Sequence, residues 1–341
     1  MRMNMGKNYQ PPYSITSKIL NLVAKISESV GRLSVISENE KSLTLRRANR
    51  IKTIQGSLAI EGNSLSEAHI TDILNGKRVL APTKEIQEVR NAIEAYDLFD
   101  QWQPKKLDDM LTAHQILMKG LIDEIGQFRS GGVGVISGKD IIHVAPPAKQ
   151  VPRLMDDLFN WLNKTTDHVI IISSVFHYEF EFIHPFSDGN GRMGRLWQSL
   201  ILSQWNPLLA YVPVESLVHQ HQKEYYDAIS QSTNQTDSAP FIEFILTMLF
   251  DAINSVTPQV TPQVTPQVKN LVLAVAKTPL MRDEIQHLLK LKDRKSFTDR
   301  YLQPALEQKI IEMLYPEKPN TPKQRYRLTS LGKQILAELT V

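Results

Sequence analysis

Over 15–32 the apolar residues Ile19, Leu20, Leu22, Val23, Ile26, Val30 and, just beyond, Leu33 recur at spacings of three and four, the pattern of an amphipathic α-helix. The same spacing predicts a helix over 42–60, a short capped one over 66–80 that stops at Asn75-Gly76, and further helices over 84–101 and 107–121. Residues 151–163, 167–183, 195–205, 216–232 and 240–253 repeat it, the first with a proline near its start, where a helix tolerates one. In one place the helical spacing lapses. Residues 131–136 and 141–144 read as two short β runs around the turn Ser137-Gly138-Lys139-Asp140, and Ala145-Pro146-Pro147 ends the second. The pattern is that of a mainly α protein with one hairpin.

The chain changes character at 256–268, where VTPQVTPQVTPQV repeats a four-residue unit. Proline at every fourth position forbids helix and disfavours a central strand, so this stretch is expected to be an extended, semi-rigid spacer. Residues 1–13, with Pro11-Pro12, read as an extended arm. Beyond the spacer, helices are expected over 270–277, 281–289 and 296–308, strands over 310–314 and 324–328, and a last helix from Ser330. That order is the winged-helix plan. Its third helix and wing hold Lys290, Lys292, Arg294, Lys295, Arg300, Lys318, Lys323, Arg325 and Arg327, a set that suits either a duplex backbone or a protein partner.

Composition narrows the chemistry. Among 341 residues there is no cysteine, which excludes disulfides, thiolate metal sites and a cysteine nucleophile. A net charge of +3 is too mild to mark a nucleic-acid binder by itself. The first twenty residues lack the continuous apolar stretch of a secretory signal. The apolar run at 241–250 is interrupted by Glu243 and Thr247 and reads as a buried helix rather than a membrane span. A cytoplasmic location is expected. The basic cluster Arg46, Arg47, Arg50 and Lys52 reads as a solvated helix face, and His114 as a structural histidine.

Residues 184–195 read HPFSDGNGRMGR, between two helical runs, so Gly189-Asn190-Gly191 should open the second helix. A helix N-terminus offers unpaired N–H groups and a positive dipole end. Glycines let the backbone approach a ligand closely, and the combination is an anion site. Arg192 and Arg195, three apart, share a helix face, and guanidinium forks match phosphate oxygens. Asp188 is the type of oxygen ligand that holds Mg²⁺ beside phosphates. His184 has the pKa of a general base near neutral pH.

This stretch resembles the signature H-x-F-x-[DE]-G-N-G-R-x-x-R of the Fic (filamentation induced by cAMP) family, with every defining position filled. The resemblance implies a Fic-type helical core with a β-hairpin flap and a C-terminal winged-helix domain. It implies a protein adenylyltransferase that moves AMP from ATP, with Mg²⁺, to a Ser, Thr or Tyr hydroxyl of a target protein or of the chain itself. In that scheme His184 deprotonates the hydroxyl, and Gly189, Asn190 and Gly191 hold the α-phosphate. Asp188 holds the metal, and Arg192 and Arg195 fix the outer phosphates. Further upstream, Ser57 and Glu61 lie four apart, on one face of a last helical turn that Gly62 can end. They resemble the family's inhibitory signature [ST]-x-x-x-E-[GN], in which the glutamate pairs with the second motif arginine, here Arg195.

The hairpin resembles the family's flap, which docks the target segment by strand addition; Val135, Ile136, Ile142 and His143 would be the docking positions. Tyr226, of the pair Tyr225-Tyr226, resembles a tyrosine that lines the nucleotide pocket, with core packing as the alternative. The expected organisation is an N-terminal helical region with the inhibitory helix (1–110), a catalytic core (111–255), the spacer (256–268) and the winged helix (269–341). A homodimer is expected, and no membrane. Two rival readings stand beside AMP transfer. In one, Glu61 orients a water that hydrolyses an AMP–protein bond. In the other, the chain is a DNA-bound regulator whose nucleotide site senses ATP without turnover.

Overall fold

The structure is a computed structural model that describes residues 9–36, 41–137, 140–256, 265–276, 278–291, 293–318 and 321–339. It divides into two units, Met1–Thr257 and Pro258–Val341, each with its own apolar core.

The first unit contains α1 (Ser17–Ile36), α2 (Lys41–Ile60), α3 (Glu67–Leu74), α4 (Thr83–Asp97) and α5 (Leu107–Leu117). The hairpin β1 (Gly134–Ser137) and β2 (Asp140–Val144) follows, then α6 (Val151–Lys164), α7 (Val169–Ile183), α8 (Asn190–Trp205), α9 (Val214–Gln220), α10 (Gln222–Gln235) and α11 (Ala239–Val256). At its centre are α7 and α8, packed on each other across the short loop 184–189. Phe176, Phe180, Phe186 and Trp197 are fully enclosed there, and each such side chain contributes about 1.5–3 kcal/mol by leaving water.

The helix α11 has the length and apolarity of a membrane span. Here Phe241, Ile242, Ile245, Leu246 and Ile253 are buried and the helix packs on α1, α7, α9 and α10, so it is a core helix of the bundle. The arm at 9–13 is tied to the bundle: the Tyr9 hydroxyl donates to Glu179, and Pro12 O accepts from Ser238 N at 3.0 Å.

Local chemistry explains the ends of the elements that flank the site. Ser66 caps α3, accepting from His69 N at 3.3 Å, and Gly76 after it takes φ 73°. Gly62, at φ 91°, turns the chain away directly after Glu61, so the carboxylate stands at the very end of α2.

Three expectations are corrected. Residues 216–232 are not one helix: α9 ends at Gln220, and His221, at φ −110° and ψ 35°, breaks the chain before α10. Arg46 and Arg50 are not simply solvated. Both guanidinium groups lie over the Tyr211 ring, at 5.0 and 5.5 Å from its centroid, and Arg50 also donates to Tyr96 O. The last repeat of the spacer is helical. Thr265 caps α12 (Pro266–Ala274), accepting from Val268 N at 3.3 Å, and Pro266 occupies the first turn, where its missing N–H costs nothing. The earlier repeats, 257–264, lie outside the described residues.

The second unit continues with α13 (Arg282–Leu288), α14 (Arg294–Phe297), α15 (Gln303–Glu307), the strands β3 (Ile311–Met313) and β4 (Tyr326–Leu328), and α16 (Ser330–Leu339). Leu280 pairs with Tyr326 beside the hairpin, completing the winged-helix plan. The third helix of that plan is interrupted at 298–302 by a wide turn in which Gln303 N reaches back to Thr298 O. Pro304 has no N–H to continue the regular ladder, which accounts for the wide turn before it.

At Gly56 an added Cβ would sit 2.6 Å from Ser216 N and 2.7 Å from the Glu215 carbonyl carbon. The helix α2 therefore meets the backbone of α9 directly. Gly56→Ala should force the helices apart and cost about 1–3 kcal/mol. Urea unfolding is expected to show a lower midpoint at unchanged slope.

Candidate functional site

The last residue before the α7–α8 loop is held in an unusual conformation. His184 ends α7 with φ 49° and ψ 63°, the left-handed region that non-glycine residues rarely enter. Its N–H bonds Phe180 O at 2.9 Å, and the conformation is clamped from outside the motif by Arg129. That buried guanidinium donates to His184 O (2.7 Å), Gly131 O (2.8 Å), Pro146 O (2.6 Å) and Ile183 O (3.4 Å). Arg129 N also donates to Pro185 O at 2.9 Å. One side chain thus joins the C-terminal, negative end of α7 to both feet of the hairpin.

The loop then turns into α8. Gly189 takes φ 83° as the N-cap, and a Cβ there would collide with Met118 Sδ at 2.6 Å. Asn190 closes the loop on itself: Oδ1 accepts from Phe186 N and Nδ2 donates to Phe186 O, both at 2.9 Å. These bonds commit the amide oxygen and one amide N–H of Asn190 to shaping the loop, and the first-turn backbone N–H groups of α8 stand beside it as donors for an anion. His114 supports the loop from below. Its Nδ1 accepts from Gly126 N at 3.0 Å, so Nε2 carries the proton and donates to Asp188 O at 3.1 Å. The ring stacks on Phe186 with centroids 3.7 Å apart. Burial holds His114 neutral, with its pKa lowered to about 4.

Three charged motif side chains surround this N-terminus. Asp188 is half exposed and its Oδ1 accepts from Gly189 N at 2.6 Å. Arg192 is nearly buried, 3.4 Å from Asp188 Oδ1 and 3.7 Å from Glu88 Oε1. Arg195 is enclosed and meets the end of α2. Its Nη2 donates to Glu61 Oε1 (2.7 Å) and to Ser57 O (2.9 Å), and its Nε to Ser57 Oγ (3.2 Å). Burial alone would lower the Arg195 pKa, but the Glu61 carboxylate raises it above the ordinary value. A Cβ on Gly191 would come within 2.3 Å of Glu61 Oε1. The carboxylate therefore sits over the first turn of α8, where an anion would be received.

The sequence-predicted residues His184, Asp188, Gly189, Asn190, Gly191, Arg192, Arg195, Ser57 and Glu61 thus converge. The tyrosine pair divides. Tyr225 is buried and donates to His177 Nε2 at 3.2 Å, whereas Tyr226 is half buried and its hydroxyl pKa is raised, chiefly by burial and then by Glu61. In the hairpin Val135 pairs with His143 and Ile136 with Ile141, with a bulge between Val135 and Ile136. The side chains of Val135, Ile136, Ile142 and His143 lie outside the described residues.

Sequence reading passed over Arg129 and Glu181, and saw His114 only as structural. Arg129 offered one signal, a lone arginine immediately before a glycine-rich hairpin. As to a metal, no cluster of three or more His, Asp or Glu exists among the described residues. Asp188 keeps one carboxylate oxygen clear of its contacts to Gly189 and Arg192, which fits a magnesium ion bound by one carboxylate and substrate phosphates.

Residues 104–202 match the Fic/DOC family, and residues 266–329 match the C-terminal domain of filamentation induced by cAMP protein Fic-like. A solved Fic family protein from Desulfovibrio desulfuricans G20 is 48% identical, with a TM-score of 0.70 over 94% of this chain and 99% of that one. The proteins named protein adenylyltransferase Fic of Aedes aegypti and Culex quinquefasciatus are each 33% identical, over 63% and 59% of this chain. The chain spans 44% and 41% of their lengths, less than half of either.

The support under the loop should show in acid. His114 and His177 have pKa values lowered by burial from 6.5 to about 4 and about 3, so the unfolded chain binds their protons more readily than the folded one. Their contribution to stability is complete above pH 6.5 and is lost as pH falls through the folded values. Urea midpoints measured across that window should decline toward acid, with a shallower decline in His114→Gln.

Proposed function

The chain belongs to the Fic family, and on that premise we propose that it is a protein adenylyltransferase that transfers AMP from ATP to a protein hydroxyl and is held off by Glu61. The observation that carries this reading is the junction at the first turn of α8. Unpaired N–H groups, Arg192 and Arg195 converge on one side, His184 stands at the other end of the loop, and Glu61 lies over Gly191.

In the transfer, His184 accepts the proton of the attacking Ser, Thr or Tyr hydroxyl. The hydroxyl oxygen bonds to the α-phosphorus, the bond from that phosphorus to the β-bridging oxygen breaks, and pyrophosphate leaves. The N–H groups of the first turn of α8 receive the α-phosphate, and Arg192 and Arg195 hold the outer phosphates in line with the attack. Asp188 would hold a magnesium ion, whose charge would offset that of the phosphates. The left-handed backbone at His184, clamped by Arg129, fixes where the base stands relative to the α8 N-terminus.

Inhibition follows from competition for one guanidinium. While Arg195 donates to Glu61 and Ser57 its Nε and Nη2 donors are taken, and the Glu61 carboxylate beside them repels a γ-phosphate. In this scheme residues 1–110 supply the inhibitory helix, 111–255 the catalytic core with its flap, and 269–341 a partner-binding module. The exposed cations Lys290, Arg294, Lys295 and Arg300 alternate with exposed Asp293, Asp299 and Glu307. Arg327 is paired with Glu312 at 2.6 Å, Arg325 donates to Pro279 O, and Lys292 lies outside the described residues. That surface favours a protein partner over the continuous positive face a duplex requires.

Incubation with α-phosphate-labelled ATP tests both halves. His184→Ala should reduce labelling by on the order of 10²-fold or more; labelling at the normal rate would remove the assignment of the base. Glu61→Gly should raise auto-modification above wild type, read as label on the chain itself. An unchanged level would mean that Glu61 does not restrain the site.

A further inference from the structure

The basic cluster on α2 faces a cleft that the transfer scheme leaves unused. Arg46, Arg47 and Arg50 line one side of it. Ile70 and Leu74 of α3, Ile93 and Asp97 of α4, and Tyr211 after α8 line the rest. The cleft holds about 470 Å³, within the range of small-molecule sites. Arg50 stands well before the end of α2 at Ile60, about 15 Å back along the helix axis. The cleft is therefore separate from the site around Glu61.

Its charge is one-sided. Three guanidinium groups face a single carboxylate, and Asp97 is largely exposed, with Oδ1 3.9 Å from Arg50 Nη1. Among the described residues that loose contact is the one ion pair in the cleft. Arg47 Nη2 donates to Asn75 Oδ1 at 2.7 Å, and Arg50 Nη1 donates to Tyr96 O. Arg46 makes no hydrogen bond among the described residues, although its Nε is buried. A guanidinium carries five N–H donors, and a buried donor without an acceptor is costly. Stacking fixes where the charge stands, since Arg46 and Arg50 both lie over the Tyr211 ring.

The apolar lining is aliphatic. Ile51, Ile54 and Ile70 are buried, Ile93 is half-buried, and Leu74 beside them remains exposed. The one aromatic ring in the lining is Tyr211, and two guanidinium groups already stack on it. Such a surface suits a flexible chain better than a flat base or ring.

We propose that this cleft is a binding site for an amphiphilic organic anion, an acyl or alkyl chain of intermediate length that ends in a carboxylate or phosphate. The head accepts from Arg46, which has no acceptor of its own, and from the unspent donors of Arg47 and Arg50. The chain lies along Ile54, Ile70, Leu74 and Ile93 and removes their surface from water. Asp97 repels a second negative charge at its side of the cleft, so the anion carries one acidic head.

Calorimetric titration of the full-length protein with decanoate and, separately, with decyl phosphate tests the site, and the tighter of the two identifies the head. At least one of them should bind with one-to-one stoichiometry. Affinity should rise by about threefold or more for each two methylenes from hexanoate to decanoate. Acetate and inorganic phosphate, heads without a chain, should not bind where decanoate saturates; nor should decyltrimethylammonium, a chain of opposite charge. Arg46→Gln should weaken binding by about tenfold or more, and it leaves no protein acceptor unpaired. In ¹³C-methyl spectra of the unaltered chain, the bound probe should shift the Ile70 and Ile93 resonances, assigned through Ile70→Val and Ile93→Val. That measurement decides the location even where the arginine variant misfolds. Four results would each overturn the assignment: no saturable binding of either probe, equal affinity for decyltrimethylammonium, binding that leaves both isoleucines unmoved, or wild-type affinity in folded Arg46→Gln. None of these readouts involves AMP transfer, so they stand apart from the reading of residues 184–195.

Discussion

An enclosed guanidinium requires acceptors for its donors, and the site is arranged around that requirement. Arg195 comes from α8 and has almost no access to water; Glu61 comes from α2, more than a hundred positions earlier in the chain. An unpaired buried charge is among the most costly states a folded protein can hold, so wherever α8 puts Arg195, some acceptor must follow. Here the acceptors are the last turn of α2, in the carboxylate of Glu61 and both oxygens of Ser57. Close approach of α2 is possible because Gly56 lets it touch the backbone of α9, and the chain turns away at Gly62 before it could cover the loop. A phosphate group could satisfy the same guanidinium, which is why pairing and nucleotide binding compete in the proposed reading.

The loop that faces this pair is held from outside. Arg129 carries a positive charge into the interior and offsets that burial with four carbonyl oxygens. Two of those carbonyls belong to the end of α7 and two to the feet of the hairpin, so the left-handed turn at His184 and the base of the hairpin form one hydrogen-bonded unit. His114 and Asn190 complete it from below and within. The geometry is set before any ligand arrives, as an electrostatic site requires.

Much of this was legible in the chain. Apolar spacing located α1 to α8 within a few residues, and the density of chemistry at 184–195 marked the site. The short sequence ending in Glu61-Gly62 indicated a carboxylate at a helix end. What escaped was non-local. The break between α9 and α10 carries no proline or glycine, so periodicity ran through His221 without a signal. The final Thr-Pro-Gln-Val unit became a helix start because Val268 is buried in the second core, a contact that a repeat pattern cannot reveal. Arg46 and Arg50 have the composition of a solvated face, yet Tyr211, more than 150 positions away, stacks beneath both.

The sequence by itself determined which elements form and which residues can do phosphate chemistry, because helix periodicity, glycine tolerance and side-chain ionisation are properties of neighbours in the chain. Only the tertiary structure decided who meets whom. It put Glu61 over Gly191, turned Asn190 inward to its own loop, carried Arg129 to the carbonyl of His184, and enclosed Glu181 beside the same histidine. Those outcomes depend on desolvation and on distance through space, and neither quantity exists until the helices have packed.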